Sequence, residues 1–260
     1  MEDKSLNEKI SAVAALVRAA GRIVVFTGAG VSTESGIPDF RSPGGIWTKY
    51  DPMEFTINRF MSSAETRRMQ WKILIEAGLM KAQAKPNKAH HAIFELERMG
   101  KLSCVVTQNI DNLHQMAGNH PTRVYELHGT MKYVICMNCD ERYVASEILS
   151  GHDFDGEAPV CKRCQGILKP DVILFGEALP QYVFEDAVYH AESCDLMVVI
   201  GSSLVVYPAA QVPFKAKKAG AKFVIINIES TPYDYMADVV INASAGEVME
   251  SIVREVRGGI

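Results

Sequence analysis

The chain alternates short, wholly apolar runs with longer segments whose apolar residues recur every three or four positions. Runs such as Ile23-Val24-Val25-Phe26 and Met197-Val198-Val199-Ile200 are apolar at every position, so neither face of such a strand meets water. That is the pattern of central parallel strands covered by helices on both sides. It predicts strands over 22–27, 103–107, 124–127, 196–201, 222–227 and 239–242. Helical periodicity predicts helices over 4–20, 65–84, 88–99, 181–193, 208–219 and 246–256. The expected fold is α/β, a doubly wound Rossmann-like parallel sheet.

Two stretches break this rhythm. Residues 42–85 begin as a Gly/Pro-rich loop and continue as helix with no strand, and residues 130–169 are rich in polar turn residues and carry four cysteines. Both are expected to build a smaller inserted domain, a helical module plus a zinc-binding module. The Rossmann-like domain is then 1–41, 86–129 and 170–260, and the small domain 42–85 and 130–169.

Charge and length narrow the function classes. A net charge of −4 provides no global basic field, so no direct nucleic-acid partner and no membrane partner is expected. Residues 1–16 are charged and amphipathic, unlike a secretory signal, and no apolar stretch reaches the ~20 residues that cross a bilayer. A cytoplasmic location is expected.

Four of the six cysteines form two Cys-x-x-Cys pairs, Cys136/Cys139 and Cys161/Cys164, separated by 21 residues. Each turn aims two thiolates at one point and two turns complete a tetrahedron, which predicts a zinc ribbon. Four protein ligands leave no open coordination position, so the Zn2+ is expected to be structural. Cys104 and Cys194 lie in or beside apolar runs and read as small buried hydrophobes.

After the first strand comes Gly28-Ala29-Gly30-Val31-Ser32-Thr33, followed by Gly36-Ile37-Pro38-Asp39-Phe40-Arg41. A Gly-x-Gly leaving a strand lets backbone amides approach a pyrophosphate. The dehydrogenase fingerprint is not met: Thr33 stands where a third Gly or Ala is expected, and Asp51, at the right distance for the ribose acid, follows Pro43-Gly44-Gly45 rather than a strand. Further polar clusters lie at predicted strand ends, where open α/β sheets bind ligands. They are Gln108-Asn109-Ile110-Asp111-Asn112, His128-Gly129, Gly201-Ser202-Ser203 and Asn227-Ile228-Glu229. Among them His128 is the residue suited to act as a base near neutral pH.

These motifs, in this order and over nearly the whole chain, resemble the sirtuins, the NAD-dependent protein-lysine deacylases. The resemblance rests on Gly28-Ala29-Gly30-x-Ser32, Gly36 to Arg41, Thr107 to Asp111, His128-Gly129, the cysteine pairs, Phe175-Gly176-Glu177, Gly201-Ser202-Ser203-Leu204 and Asn227. It implies that Ala29, Thr33, Phe40 and Arg41 lie in a flexible loop over NAD, and that Gly28, Gly30, Ser32 and Asp39 also bind the cofactor. It implies that Gln108, Ile110 and Asp111 surround the nicotinamide and its ribose. Gly201, Ser202, Ser203, Asn227, Ile228, Ser244 and Ala245 would hold the adenosine half. Ile173, Phe175, Gly176, Glu177, Val205 and Val206 would hold an acetylated-lysine protein substrate as an added, extended strand.

The same resemblance assigns catalysis to His128, Asn109 and Asp111, with NAD consumed as co-substrate. Acetyl would pass from lysine to ADP-ribose, releasing nicotinamide and O-acetyl-ADP-ribose. Sirtuins that remove acidic acyl groups carry a Tyr-x-x-Arg pair in the helical insertion. Here the stretch reads Arg68-Met69-Gln70-Trp71-Lys72-Ile73, so neutral acyl groups are expected, acetyl first and longer chains as the alternative. A mono-ADP-ribosyltransferase is the rival enzyme, disfavoured because deacylation has more use for His128. A zinc-ribbon binding module would leave the polar clusters at the sheet edge unexplained.

Overall fold

A computed structural model of the chain describes residues 5–76, 84–150 and 157–259. In chain order the elements are α1 (Leu6–Ala19), β1 (Ile23–Thr27), α2 (Ile57–Ser62), α3 (Ala64–Glu76), α4 (Lys88–Arg98), β2 (Leu102–Thr107), α5 (Leu113–Ala117), β3 (Val124–Glu126), β4 (Gly129–Cys136), β5 (Arg142–Val144), α6 (Ala145–Leu149), β6 (Leu168–Val172), α7 (Gln181–Ser193), β7 (Leu196–Ile200), α8 (Gln211–Lys218), β8 (Lys222–Ile226), β9 (Val239–Ile241) and α9 (Ala245–Gly258).

Six strands form one sheet in the order β3-β2-β1-β7-β8-β9, with every neighbouring pair parallel. The alternation of side chains divides the core in two. Ile23 and Val25 of β1 face α1, α4 and α9 through Val13, Ile93 and Ile252, whereas Val24 and Phe26 face α7 and α8 through Ala187 and Val212. Burial on both sides explains why these strands read as unbroken apolar runs. The order reverses between β1 and β7, and their carboxyl ends, Thr27 and Ile200, are register partners. That reversal opens the crevice in which a doubly wound sheet binds its ligand.

All six predicted strands of this sheet are present, with no end shifted by more than one residue. The first helix begins one residue after its N-cap, Ser5, with a capping box in which Ser5 accepts from the Glu8 N–H while the Glu8 carboxylate accepts from the Ser5 backbone. The predicted helix over 65–84 is observed as α3 to Glu76; Ala84 is outside any helix, and residues 77–83 lie outside the described residues.

A second sheet, β5-β4-β6, is antiparallel and extends from Gly129 to Val172. Its register shifts between Gly129 and Val134, and β5 has three residues, so no regular alternation marks it in the sequence. Trp71 of α3 packs in its core with Val134, Ile148 and Leu168. Cys104 and Cys194 are buried in the main core, as their surroundings predicted. Among the described residues no helix is long and apolar enough to cross a membrane.

Candidate active site

Glycine geometry sets the floor of the crevice. A Cβ on Gly28 would lie 2.7 Å from the Gly201 carbonyl oxygen, and one on Gly30 would lie 2.8 Å from the Gly201 Cα. Gly201 itself has φ +62°, a conformation that disfavours any side chain. The turns after β1 and β7 thus touch through backbone alone, with Gly30 N donating to Gly201 O at 2.9 Å. Close approach, rather than looseness, is what these two loop glycines supply.

Beneath the turns β1 and β2 are joined by hydroxyls. Thr27 Oγ1 donates to Thr107 Oγ1 at 2.8 Å, and Thr107 Oγ1 also accepts the Asn109 N–H at 3.0 Å. His114 Nε2 lies 3.0 Å from Thr27 Oγ1, and its ring packs 4.9 Å from that of His90. Both histidines are buried, which holds their pKa values below the usual 6.5, that of His90 to about 4.

The anchored Asn109 opens a second chain of bonds. Its side-chain amide donates to Ser32 Oγ at 3.1 Å, and Ser32 donates to Asp111 Oδ2 at 2.7 Å. The other Asp111 oxygen accepts the Leu113 N–H at 3.0 Å, at the first turn of α5. Burial raises the Asp111 pKa, and the hydrogen bonds it accepts oppose that rise. Glu126 lies close enough to Asp111 to feel its charge; burial pushes its carboxyl up to about 7.

His128 follows β3, and its Nδ1 lies 3.0 Å from the carbonyl oxygen of Gln108. A carbonyl only accepts, so Nδ1 carries the proton and Nε2 keeps its lone pair. Burial lowers the His128 pKa and the Gln108 bond works against that shift, leaving a neutral imidazole as the resting form. The Gln108 side chain is fixed in turn by Ser202 Oγ, which donates to its Oε1 at 2.8 Å.

These groups line one cavity of about 410 Å³. On its wall lie Gly28, Ala29, Gly30, Ser32, Thr33, Asp39, Phe40, Arg41, Gln108, Asn109, Ile110, Asp111 and His128, with Gly201, Ser202, Ser203, Asn227, Ile228 and Ala245. The predicted peptide-contacting residues Ile173, Phe175, Gly176, Glu177, Val205 and Val206 join them. Ser244 is off the wall: its hydroxyl donates to Glu34 Oε1 at 2.7 Å, beside the first turn of α9. Asp39 lines the wall, yet its carboxylate accepts the Arg41 and Ser42 N–H groups and so shapes the loop itself.

Sequence reasoning missed an aromatic and aliphatic wall. Trp47 packs on Phe40, Phe55 and Phe175, with ring centroids 5.2, 5.1 and 6.0 Å apart. Ile46, Ile73, Leu74, Val172 and Leu174 complete it. The signal available was the cluster of large apolar residues in an otherwise Gly/Pro-rich stretch.

The cysteine pairs converge at the far end of the second sheet. All four sulfurs lie within 4.8 Å of one another, with Cys136–Cys164 at 3.5 Å and Cys139–Cys161 at 3.8 Å. A tetrahedral zinc with bonds of about 2.3 Å needs sulfurs about 3.8 Å apart, so the cluster fits a structural ion. The two knuckles have matching backbones. Cys136 O accepts the Asp140 N–H and Cys161 O the Gln165 N–H, and both donors sit in the left-handed region, φ 57° and 60°.

Comparison with known proteins agrees with this geometry. The Sir2 family model matches residues 28–208. "NAD-dependent protein deacylase 2" of Archaeoglobus fulgidus is 48% identical over 97% of this chain and 98% of its own length. "NAD-dependent protein deacetylase 1" of Pyrobaculum aerophilum is 44% identical over 96% of each chain. A solved structure described as the structural basis for the mechanism and regulation of Sir2 enzymes superposes with a TM-score of 0.89 at 47% identity, covering 98% of this chain and 100% of that one. A Sir2 protein bound to a myristoylated histone peptide gives 0.80 at 43% identity, covering 97% and 98%. Since the match runs through the glycine turns, the His128 strand end and both cysteine knuckles, the chain belongs to the Sir2 family.

Proposed function

We propose that the protein is an NAD-dependent protein-lysine deacetylase in which His128 is the general base. The observation that carries this reading is the His128 ring: Nδ1 held by the Gln108 carbonyl, Nε2 left to accept a proton, in the cavity that also holds Asn109 and Asp111. When bound, NAD supplies a cationic nicotinamide as leaving group and a ribose that accepts the acyl group. The glycine turns and Ser202 would hold the phosphates and adenosine half, with Ser203, Asn227, Ile228 and Ala245. Asn109 and Asp111, tied through Ser32, would hold the nicotinamide end, while Phe40 would screen the reacting centre from water. His128 Nε2 would take a proton from a ribose hydroxyl as that oxygen attacks the acyl carbon.

The acyl-lysine is read as entering between Phe175–Glu177 and Val205–Val206, its acyl chain against the apolar wall. That wall also favours longer neutral acyl groups as a second substrate class, and a related Sir2 structure holds a myristoylated peptide. Two cations of the helical insertion are engaged elsewhere: Arg67 donates to the Phe60 and Met61 carbonyls, and Lys72 pairs with Glu76. We read residues 42–85 and 130–169 as the smaller body and the remainder as the Rossmann-like one. The test is incubation with NAD and acetyl-lysine peptide, followed by mass spectrometry. Deacetylated peptide, nicotinamide and O-acetyl-ADP-ribose are expected. ADP-ribose on protein with no deacetylation would instead select the ADP-ribosyltransferase reading.

A further inference from the structure

Lys169 is buried, its side chain 5% exposed, on strand β6. Its Nζ donates to the Val172 carbonyl and lies 3.0 Å from Glu177 Oε2. The same Glu177 oxygen accepts the Leu174 N–H at 2.7 Å, while Glu177 N donates to Leu174 O at 3.0 Å. Leu174 and Glu177 therefore clasp each other across a turn whose third residue, Gly176, has φ +89°. The outer side of the turn is pinned separately: Phe175 N donates to Phe55 O, and Phe175 O accepts from Ile57 N, each at 3.0 Å.

A buried ion pair is a poor source of stability, because desolvating both charges offsets their attraction, and apolar replacements of similar volume do as well. What it supplies is a defined geometry. We propose that Lys169 and Glu177 are positioning residues: the buried pair sets the shape of the 172–177 turn, and thereby the height at which Phe175 and Gly176 present their edge to an acylated peptide strand. Glu177, although on the cavity wall, then acts by holding the turn rather than as a peptide anchor. This inference rests on the reading that the peptide docks on this turn.

The experiment compares Lys169→Met, Lys169→Arg and Glu177→Gln with the parent by steady-state kinetics, and follows exchange of the Leu174 amide hydrogen by NMR. For Lys169→Met and Glu177→Gln the peptide KM is expected to rise about tenfold, the scale of one lost charge-assisted hydrogen bond, while the KM for NAD stays within about twofold. Leu174 exchange should accelerate in both, and Lys169→Arg should restore both readouts. If a single variant leaves an unpaired buried charge and fails to fold, the double variant Lys169→Met/Glu177→Leu removes both charges and is read on the same two measurements. An unchanged peptide KM, or a KM for NAD that rises in parallel, overturns the proposal. Absence of deacetylation by the parent would overturn the functional reading instead. The latch would then be judged on Leu174 exchange alone, with an unchanged rate overturning it.

Discussion

Ser32 and Asp111, 79 residues apart, share a 2.7 Å hydrogen bond that ties the turn after β1 to the loop after β2. Ser32 also accepts from Asn109, so one hydroxyl orients both polar groups of the proposed nicotinamide end. Removing it in Ser32→Ala deprives the Asp111 carboxylate of a donor in a buried place, a loss of about 1.5–3 kcal/mol. Deacetylation is expected to fall at least about tenfold in kcat/KM, with nicotinamide exchange falling in step. Parallel assays of the two reactions check it; retained exchange would show that Ser32 does not position these groups.

The His128 geometry fixes a pH dependence. As the proposed base, His128 works only when neutral, and burial holds its pKa below 6.5, so activity should be flat at neutral pH and decline on acidification. A profile of kcat/KM against pH is expected to show its acidic midpoint under about 6.5. An acidic midpoint above 7 would contradict a desolvated imidazole. His128→Ala should lose this activity while circular dichroism and melting remain those of a folded chain.

Glu126 and His90 titrate in opposite senses. The Glu126 carboxyl is raised from 4.5 to about 7 on folding, so its contribution to stability is complete below pH 4.5 and is lost as pH rises through 7. The His90 imidazole is lowered from 6.5 to about 4, so its contribution is complete above 6.5 and is lost as pH falls toward 4. Each swing is on the order of 3 kcal/mol, and over pH 4.5–6.5 the two slopes offset each other. Glu126→Gln removes one of them. The variant should be more stable than the parent at pH 8 by up to about 3 kcal/mol and nearly equal to it at pH 4.5, as measured by urea unfolding.

Metal removal should act locally first. The second sheet packs a small core around Trp71, Val134 and Leu168, close to the cysteine knuckles. Stripping the ion with a strong chelator is expected to lower the melting temperature and to speed amide exchange in β4 to β6 before β1, β2 and β7. Equal melting with and without chelator would show that the four thiols do not bind a structural ion.

The division between what the chain announces and what it conceals follows from periodicity. Strands such as β1 and β7 are apolar on both faces, and that pattern survives without any knowledge of partners. The second sheet carries a register shift and a three-residue strand, so alternation has too few positions to be seen. Around the cavity, residues just past predicted strand ends were legible because topology alone brings strand ends together. Trp47 and Phe55 were not: they sit in 3₁₀ turns of three and four residues, too short to impose a period. Lys169 was hidden for a different reason. A lysine in a strand reads as a solvent-facing position, and only its partners eight and three residues onward explain its burial.

The bonds from Ser244 and the Gly246 N–H to Glu34 Oε1 join segments 210 and 212 residues apart. During synthesis the glycine turns leave the ribosome long before the helix that braces them. Until α9 has emerged and docked, Glu34 has no amide to accept from and the crevice lacks one of its walls. The shape of the crevice beside Glu34 therefore depends on a segment more than 200 residues away along the chain.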